Sequence, residues 1–339
     1  MMSCGAKRRW SRVALLSGIF LIACVMTIGG KHMWNNVEKN EHVGGFEAFD
    51  QARELRGHYT LSTLRFESEF VIEWVNYHLW IGFSHMVIYD EDNTATSELA
   101  KLLAHYISEG VVTLIEWPAG EQSQAYRHGL RTFGQHATSL TFLDGDEYIV
   151  LCKQATVHDA YKAAGLFKSP RACLEMPWVL FGPWVTTPSA ENSTSVSERL
   201  TLRARKPFAK HPGKTVLRGG RDFRHTRLYG RGVSPIWHWC RNGRPEIESI
   251  SVDAKHIRVN HYQFRHGADS VKKKQERGNT ASTRRREYSK MHLKELPWMR
   301  DAIEDYALAN LTNDLPTLHQ PRYSAVYSPR VSPTECCLI

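Results

Sequence analysis

The sequence predicts an α/β fold: a mostly parallel sheet with helices on both faces. Strand-like and helix-like segments alternate four times within about ninety residues, as in chains that wind right-handed crossovers onto one sheet. The continuous apolar run Met86-Val87-Ile88-Tyr89 is typical of a parallel strand covered on both faces. A second apolar run, Leu140 to Leu143, ends abruptly in carboxylates, as strands do where they reach a polar site.

The predicted elements follow from local patterns taken in chain order. Apolar residues at helical spacing predict a helix over Glu67–Ile81, in which Trp74 and His78 should pack in the core. Gly110 ends a second helix over Glu98–Ser108. The remaining elements are a helix over Gln122–Phe133, strands over Tyr59–Arg65, Ser84–Asp90, Val111–Trp117, Leu140–Leu143, Ala172–Leu180 and Ile257–Gln263, and a long mobile loop over 186–214.

The acidic motif Asp144-Gly145-Asp146 follows the strand that ends at Leu143. In a strand, residues i and i+2 point the same way, so both carboxylates should project together. Gly145 has no side chain to block a ligand between them. Such oxygen ligands suit Mg²⁺, Mn²⁺ or Ca²⁺. An isolated Asp-x-Asp, however, is more often a solvated turn.

Two other strand ends favour a ligand site over a turn. Asp90 and Asp92 end one predicted strand, and Trp117 to Glu121 follow another. In open parallel sheets ligands lie beyond the carboxyl ends of the strands, so these residues and Asp144 should share one edge. The first strand is followed by Arg65-Phe66-Glu67-Ser68 and not by Gly-x-Gly-x-x-Gly, which disfavours a classical dinucleotide fold.

The formal net charge of +9 indicates which kinds of binding partner the chain can have. A basic chain can bind nucleic acid, a membrane surface or an anionic substrate such as a phosphate. The sequence has no zinc-finger spacing, RNA-binding aromatic motif or basic heptad region, so nucleic acid is disfavoured. The basic run from Lys272 to Arg286 is normally a solvated helix face, but at the acidic edge it could neutralise a diphosphate.

The N-terminus predicts a membrane anchor. Residues 13–30 carry no charge, can just span a thin bilayer, and follow a basic cluster that predicts a cytoplasmic N-terminus. This favours a type II membrane protein over a cleaved signal peptide, for which there is no clear cleavage site. The expected organisation is a cytoplasmic tail (1–12), a transmembrane signal anchor (13–30), a stem (31–57), a folded catalytic domain (58–290) and a C-terminal extension (291–339).

The seven cysteines have no framework spacing. A Cys152–Cys173 bridge and a bridge from Cys240 are both compatible with the sequence. Asn192-Ser193-Thr194 and Asn310-Leu311-Thr312 fit the N-glycosylation pattern, which agrees with a lumenal domain.

Seven short motifs occur in the order of one known family. They are Arg65-Phe66-Glu67 with Glu73-Trp74 and His78; Tyr89-Asp90-Glu91-Asp92-Asn93-Thr94; Trp117-Pro118 with Gln122, Ala125, Tyr126 and His128; Asp144-Gly145-Asp146-Glu147-Tyr148; Trp178 with Phe181-Gly182; Lys214 with His225; and Asn260-His261-Tyr262 with Lys274 and Arg277-Gly278. Together they make the chain resemble glycosyltransferase family 92 from about Thr60 to Asn279. Phe66 departs from the family pattern, which has Asn there.

The resemblance implies a GT-A-type fold that transfers a hexose, galactose foremost, from a UDP-sugar to a glycan acceptor with inversion. It implies a location in the Golgi or another secretory compartment, with the catalytic domain lumenal. Mn²⁺ or Mg²⁺ would be held by Asp144, Asp146 and His261, with Asp146 the primary ligand and Asp144 shared with the donor. The residues expected to contact the donor are Arg65, Glu67, Asp90, Asp92, Gln122, Tyr126, Asp144, Lys214, Lys274 and Arg277.

Inverting transfer also needs a carboxylate that removes the proton of the acceptor hydroxyl. Glu175 and Asp222 are the candidates, and Glu175 is preferred because it lies near the Trp178 turn. A hypothesis from another class is a catalytically degenerate, membrane-anchored carbohydrate-binding or scaffold protein. The departure at Phe66 motivates that alternative.

Overall fold

The computed structural model describes residues 57–92, 98–182, 195–207, 213–220, 238, 240, 247–265, 302–305 and 308. The strands are β1 (His58–Leu64), β2 (His85–Asp90), β3 (Val112–Glu116), β4 (Ser139–Phe142), β5 (Glu147–Leu151), β6 (Ala172–Met176), β7 (Trp178–Leu180), β8 (Leu202–Arg203), β9 (Lys214–Arg218), β10 (Glu248–Ser251), β11 (Ile257–His261) and β12 (Ile303–Glu304). The helices are α1 (Val71–Trp80), α2 (Glu98–Leu102), α3 (Ala104–Ser108), α4 (Gln122–Phe133), α5 (Val157–Ala163) and α6 (Val196–Arg199), with a 3-10 turn at Leu166–Lys168.

The central sheet has seven strands in the order β10-β6-β9-β4-β1-β2-β3. Strands β4, β1, β2 and β3 are parallel neighbours, and β10 is parallel to β6, whereas β9 runs antiparallel between β4 and β6. Strands β1, β2 and β4 are buried along their whole length, as expected when both faces of a sheet are covered. The predicted α/β class and mostly parallel sheet are therefore confirmed.

A second sheet, in the order β5-β11-β7, brings distant parts of the sequence together. Strand β11 pairs antiparallel with β5, so that His261 lies opposite Glu147 and Asn260 opposite Tyr148. On its other side β11 pairs in parallel with β7, where His261 lies opposite Leu180. The Asn260-His261-Tyr262 segment is thereby fixed beside the acidic motif.

Helix α1 packs its aromatic face onto β5. Trp74 Nε1 donates a hydrogen bond of 2.9 Å to the carbonyl of Glu147, and the Tyr77 hydroxyl donates one of 2.6 Å to the carbonyl of Ile149. His78 Nδ1 donates to the carbonyl of Trp74, and burial lowers the pKa of His78 to about 3, so its ring is neutral. Trp74 and His78 are core residues, as the sequence predicts.

Several boundaries differ from those expected. The segment 172–180 is not one strand but two, β6 and β7, in different sheets, because Pro177 between them cannot donate a ladder hydrogen bond. The helix predicted from Glu67 begins only at Val71. The segment 186–214 is not one loop, since it contains α6, β8 and the first residue of β9.

Strand β12, from the expected C-terminal extension, pairs antiparallel with β8. Asp305 forms buried ion pairs with Arg203 and with Arg258, the latter at 2.7 Å. Leu308 is buried in the core cluster. Part of the expected extension 291–339 is therefore integrated with the rest of the fold.

One disulfide links β6 to a distant segment, because Cys173 is bonded to Cys240. The Cys152–Cys173 pairing is therefore wrong, and the bridge from Cys240 is confirmed with Cys173 as its partner. The predicted anchor, residues 13–30, lies outside the described residues, and within the described ones no helix has the length and apolar character to cross a bilayer.

Glu73 on α1 should make stability depend on pH. Its carboxylate accepts hydrogen bonds from the Ser195 hydroxyl and the Val196 amide, and burial raises its pKa to about 7. Between the usual carboxyl pKa and about 7, the folded chain therefore binds more protons than the unfolded chain. The contribution of Glu73 to the free energy of unfolding falls as the pH rises through that window. Glu73→Gln removes this dependence.

Comparing the free energies of unfolding of wild type and Glu73→Gln in urea isolates the residue from other titrating groups. As the pH rises from 4.5 to 8, the free energy of unfolding of the variant should increase relative to that of the wild type by up to about 3 kcal/mol. A difference between the two proteins that stays constant with pH would show that Glu73 titrates normally.

Candidate functional site

The carboxyl ends of four parallel strands form one edge of the main sheet. Asp90 ends β2 and pairs in register with Leu64 of β1 and Glu116 of β3. Asp144 follows β4, the strand on the other side of β1. The predicted shared edge is thus confirmed, and it is the position where open α/β sheets bind ligands.

Asp144 is held by three side chains. Its Oδ1 accepts a hydrogen bond of 3.0 Å from Gln122 Nε2 and lies 3.3 Å from the Tyr126 hydroxyl. Its Oδ2 forms an ion pair of 2.8 Å with Lys214 Nζ. Gln122 also donates to the Thr63 hydroxyl at 3.0 Å, which ties the start of α4 to β1. Four of the predicted donor-contacting residues therefore form a single cluster.

Lys214 is completely buried between two carboxylates, since its Nζ also lies 3.3 Å from Glu147 Oε2. Burial disfavours its charge, but Asp144 and Glu147 outweigh this and raise the pKa of Lys214 above its usual value. Burial likewise opposes ionisation of Asp144, yet Lys214 lowers the pKa of Asp144. Burial raises the pKa of Glu147 well above its usual range. Asp144 and Lys214 are therefore the ionised pair.

Asp146 and His261 are neighbours because of the pairing between β5 and β11. The Tyr262 amide donates a hydrogen bond of 2.8 Å to the Asp146 carbonyl, which joins the two segments of the chain at this point. Asp146 Oδ2 lies 3.5 Å from His261 Nε2. Two of the three predicted metal ligands, Asp146 and His261, are thus adjacent although they lie far apart in the sequence.

The two aspartates do not project together as expected from strand geometry. Strand β4 ends at Phe142, and the chain then turns, with the Glu147 amide donating to the Asp144 carbonyl at 3.1 Å. Asp144 therefore faces Lys214, while Asp146 faces His261. The i and i+2 argument fails here because it holds only within an extended strand.

Gly145 packs closely against the side chains of Leu64 and Glu67. A Cβ atom there would lie 2.7 Å from Leu64 Cδ2 and 3.3 Å from Glu67 Cγ, closer than such atoms normally approach. Gly213 has a stronger constraint, with φ of +96° and a Cβ position only 2.0 Å from the carbonyl oxygen of Met176. Glycine at 213 lets β9 begin against the end of β6, where Lys214 pairs in register with Met176.

Two predicted donor-contacting residues, Arg65 and Glu67, follow the end of β1. Glu67 is buried and forms an ion pair with Arg265, which also donates a hydrogen bond to the Gly145 carbonyl. Arg65 places its guanidinium carbon 5.0 Å from the centre of the Phe66 ring. Glu67 therefore supports the acidic turn through Arg265.

Asp90 and Asp92 act on the backbone of this edge. The buried Asp90 accepts the Asp92 amide through Oδ1 at 3.0 Å. Both carboxylate oxygens of Asp92 lie 3.1 Å from the Phe66 amide nitrogen, which donates to them. The two aspartates thus connect the ends of β2 and β1.

Glu175, the preferred base, holds the segment around the disulfide. Its Oε1 accepts the Cys240 amide at 2.8 Å and its Oε2 accepts the Ser251 hydroxyl at 3.3 Å. These contacts give Glu175 a positioning role, and its assignment as the base stays a prediction. Asp222, Lys274 and Arg277 lie outside the described residues, so their predicted roles stay predictions too.

Two residues near the site were not singled out from the sequence. Arg265 follows the Asn260-His261-Tyr262 motif but lies in no recognised pattern. His238 donates Nδ1–H to the Gly213 carbonyl at 2.8 Å and meets the Trp178 ring edge-on at 5.4 Å. The nearby Cys240 was the one feature of the sequence that could have drawn attention to His238. A cysteine that forms a disulfide fixes its neighbours against the folded domain.

Within the described part of the chain, no three residues of the His, Cys, Asp and Glu types cluster as a complete metal site. The donor set of Asp146 and His261 nevertheless fits a divalent ion, because one carboxylate oxygen and one imidazole nitrogen lie side by side. His261 Nδ1 is a buried atom with no hydrogen-bond partner among the described residues. The imidazole favours Mn²⁺ over Mg²⁺, which prefers oxygen ligands.

Fold and site together define an α/β protein whose ligand site combines carboxylates, a buried lysine and a histidine at the carboxyl edge of its sheet. The model of glycosyltransferase family 92 matches residues 59–301, well over half of the chain. The chain therefore belongs to glycosyltransferase family 92 and is a glycosyltransferase, as its motifs predict.

Comparison with solved structures finds loose similarity to TarS of S. aureus. One crystal structure aligns at 11% identity with a TM-score of 0.34 and covers 68% of each chain. A second, of TarS residues 1–349 in complex with UDP-GlcNAc, aligns at 12% identity with a TM-score of 0.33 and covers 77% of this chain and 82% of that one. No curated protein matches the chain.

Proposed function

We propose that this glycosyltransferase is metal-dependent and transfers a hexose, galactose foremost, from a UDP-sugar to a glycan acceptor with inversion. The observation that carries the proposal is the adjacency of Asp146 and His261 beside the ionised pair of Asp144 and Lys214. Such a site offers two ligands for a cation, held beside a charge-compensated pair. Galactose and the glycan acceptor rest on the family resemblance alone.

Each residue of the site would have a separate role in the proposed transfer. Asp146 and His261 would hold the ion, which supplies Lewis acidity to the departing diphosphate. Lys214 remains protonated because its pKa is raised by Asp144 and Glu147, and its ion pair keeps Asp144 ionised. Asp144, fixed by Gln122 and Tyr126, keeps Lys214 in place. Glu175 or Asp222 would take the proton of the acceptor hydroxyl.

A lumenal location and a type II anchor are part of the proposal. The Cys173–Cys240 disulfide supports them, because such bridges persist mainly in oxidising compartments such as the secretory pathway. Protease protection of the catalytic domain in sealed vesicles measures the orientation. Digestion of that domain in intact vesicles would contradict it.

A panel of UDP-hexoses tests the reaction. UDP release and transfer to a glycan panel should occur with one donor in Mn²⁺, stop with EDTA and return when Mn²⁺ is restored, because the ion stabilises the leaving diphosphate. If no donor is hydrolysed or transferred, the proposal is wrong. Saturable glycan binding without turnover would instead favour the carbohydrate-binding alternative.

A further inference from the structure

Phe66 has the one left-handed backbone conformation among the described non-glycine residues, with φ of +60°. Aromatic residues rarely adopt this region, whereas asparagine and glycine accept it readily. Strained residues of this kind persist where the surrounding structure holds them, and they cluster at ligand sites. The position therefore calls for a reason to keep an aromatic ring there.

The backbone of Phe66 is held by the sheet edge itself. Its amide donates to both oxygens of Asp92, and the Asp92 amide in turn donates to Asp90 at the end of β2. The next residue, Glu67, is buried and paired with Arg265. The ring is thus carried on the turn between β1 and α1, which is tied by hydrogen bonds to the residues after β2.

The Phe66 side chain is nevertheless 38% exposed. Leu102 and Ile107 are the other exposed large hydrophobic side chains among the described residues, and they lie on helices α2 and α3. Phe66 alone of these three stands at the carboxyl edge. The guanidinium of Arg65 lies 5.0 Å from the centre of its ring, which orders the ring through a cation–π contact.

The geometry points to Phe66 as the platform on which the nucleobase of the donor, a pyrimidine, stacks. This inference rests on the proposed function. The base and the sugar of a nucleoside diphosphate sugar lie on opposite sides of its diphosphate. The acidic turn follows β4, which has β1 and then β2 on one side and β9 on the other, and Phe66 follows β1. A diphosphate bound at Asp146 would therefore have the Phe66 turn on one of its two flanks. Flat bases stack on exposed aromatic rings independently of their hydrogen-bonding edges.

Two variants separate the ring from the backbone. Phe66→Asn removes the ring but suits the left-handed backbone, so its unfolding midpoint should equal or exceed that of the wild type. Phe66→Tyr keeps the ring. Titration calorimetry in Mn²⁺ should find that Phe66→Asn binds UDP about 5- to 100-fold more weakly, while Phe66→Tyr stays within about threefold.

Inorganic diphosphate in Mn²⁺ is the second probe, because it occupies the metal site but has no base. Its affinity should be the same in the wild type and both variants. If Phe66→Asn binds UDP as the wild type does, or loses UDP and diphosphate affinity equally, the stacking inference is wrong while the proposed function stands. A wild type that binds neither UDP nor diphosphate would overturn both.

Discussion

Replacing Asp146 with asparagine should lower the rate of sugar transfer by at least about 100-fold, because a metal ion's stabilisation of transition-state charge is worth several kcal/mol. The substitution keeps the size of the side chain and removes one anionic oxygen beside His261. The backbone contact between the Tyr262 amide and the Asp146 carbonyl is unaffected. The loss should therefore be catalytic and not a loss of fold.

Initial rates measured over a Mn²⁺ series test this expectation. Asp146→Asn should need a higher Mn²⁺ concentration for half-maximal activity, and His261→Gln should shift it in the same direction. Asp253→Asn, in the exposed turn before β11, is the matched control and should leave both rate and Mn²⁺ dependence unchanged. Full activity of Asp146→Asn at the wild-type Mn²⁺ optimum would refute the metal assignment.

Replacing Lys214 with methionine should destabilise the fold by roughly 3–5 kcal/mol, the usual cost of removing one partner from a buried ion pair. Methionine fills a similar volume but leaves Asp144 and Glu147 side by side in the buried site without a cation. The pKa values of both carboxyls then rise in the folded state. The defect should shrink as pH falls, because the folded variant binds protons more readily than its unfolded chain.

Urea unfolding of Lys214→Met at pH 8 and pH 5.5 measures both effects. The double variant Lys214→Met/Asp144→Asn should recover about half of the lost stability or more, since it removes the orphaned charge. Equal free energies of unfolding for Lys214→Met and the wild type would contradict the buried ion-pair description. So would a defect that grows as pH falls.

Apolar periodicity and the polar residues at strand ends were sufficient to predict much of the fold. The helix over Gln122–Phe133 has the predicted bounds. Strand β2 begins one residue later than predicted, and β4 begins and ends one residue earlier. These elements are predictable because they bury an apolar face, and the spacing of apolar residues in the sequence follows that face. The shared acidic edge followed from parallel topology, because consecutive strands in such sheets end on the same side.

Other local predictions failed where a single residue changed the chain direction. The i and i+2 expectation for Asp144 and Asp146 required a continuous strand, but the chain turns after Phe142. The segment predicted as one strand over 172–180 divides at Pro177 into two sheets. Neither change alters the hydrophobic pattern enough to be detected from periodicity alone.

The sequence by itself determined the fold class, the family and the residue types of the site, because these depend on local periodicity and on short motifs in order. Only the tertiary structure decided which partner each side chain has. It placed Asp146 with His261, Asp144 with Lys214, and Glu175 with the disulfide-bonded Cys240. Strand register, disulfide pairing and buried charge compensation join residues far apart in the chain, and no local pattern encodes those pairings.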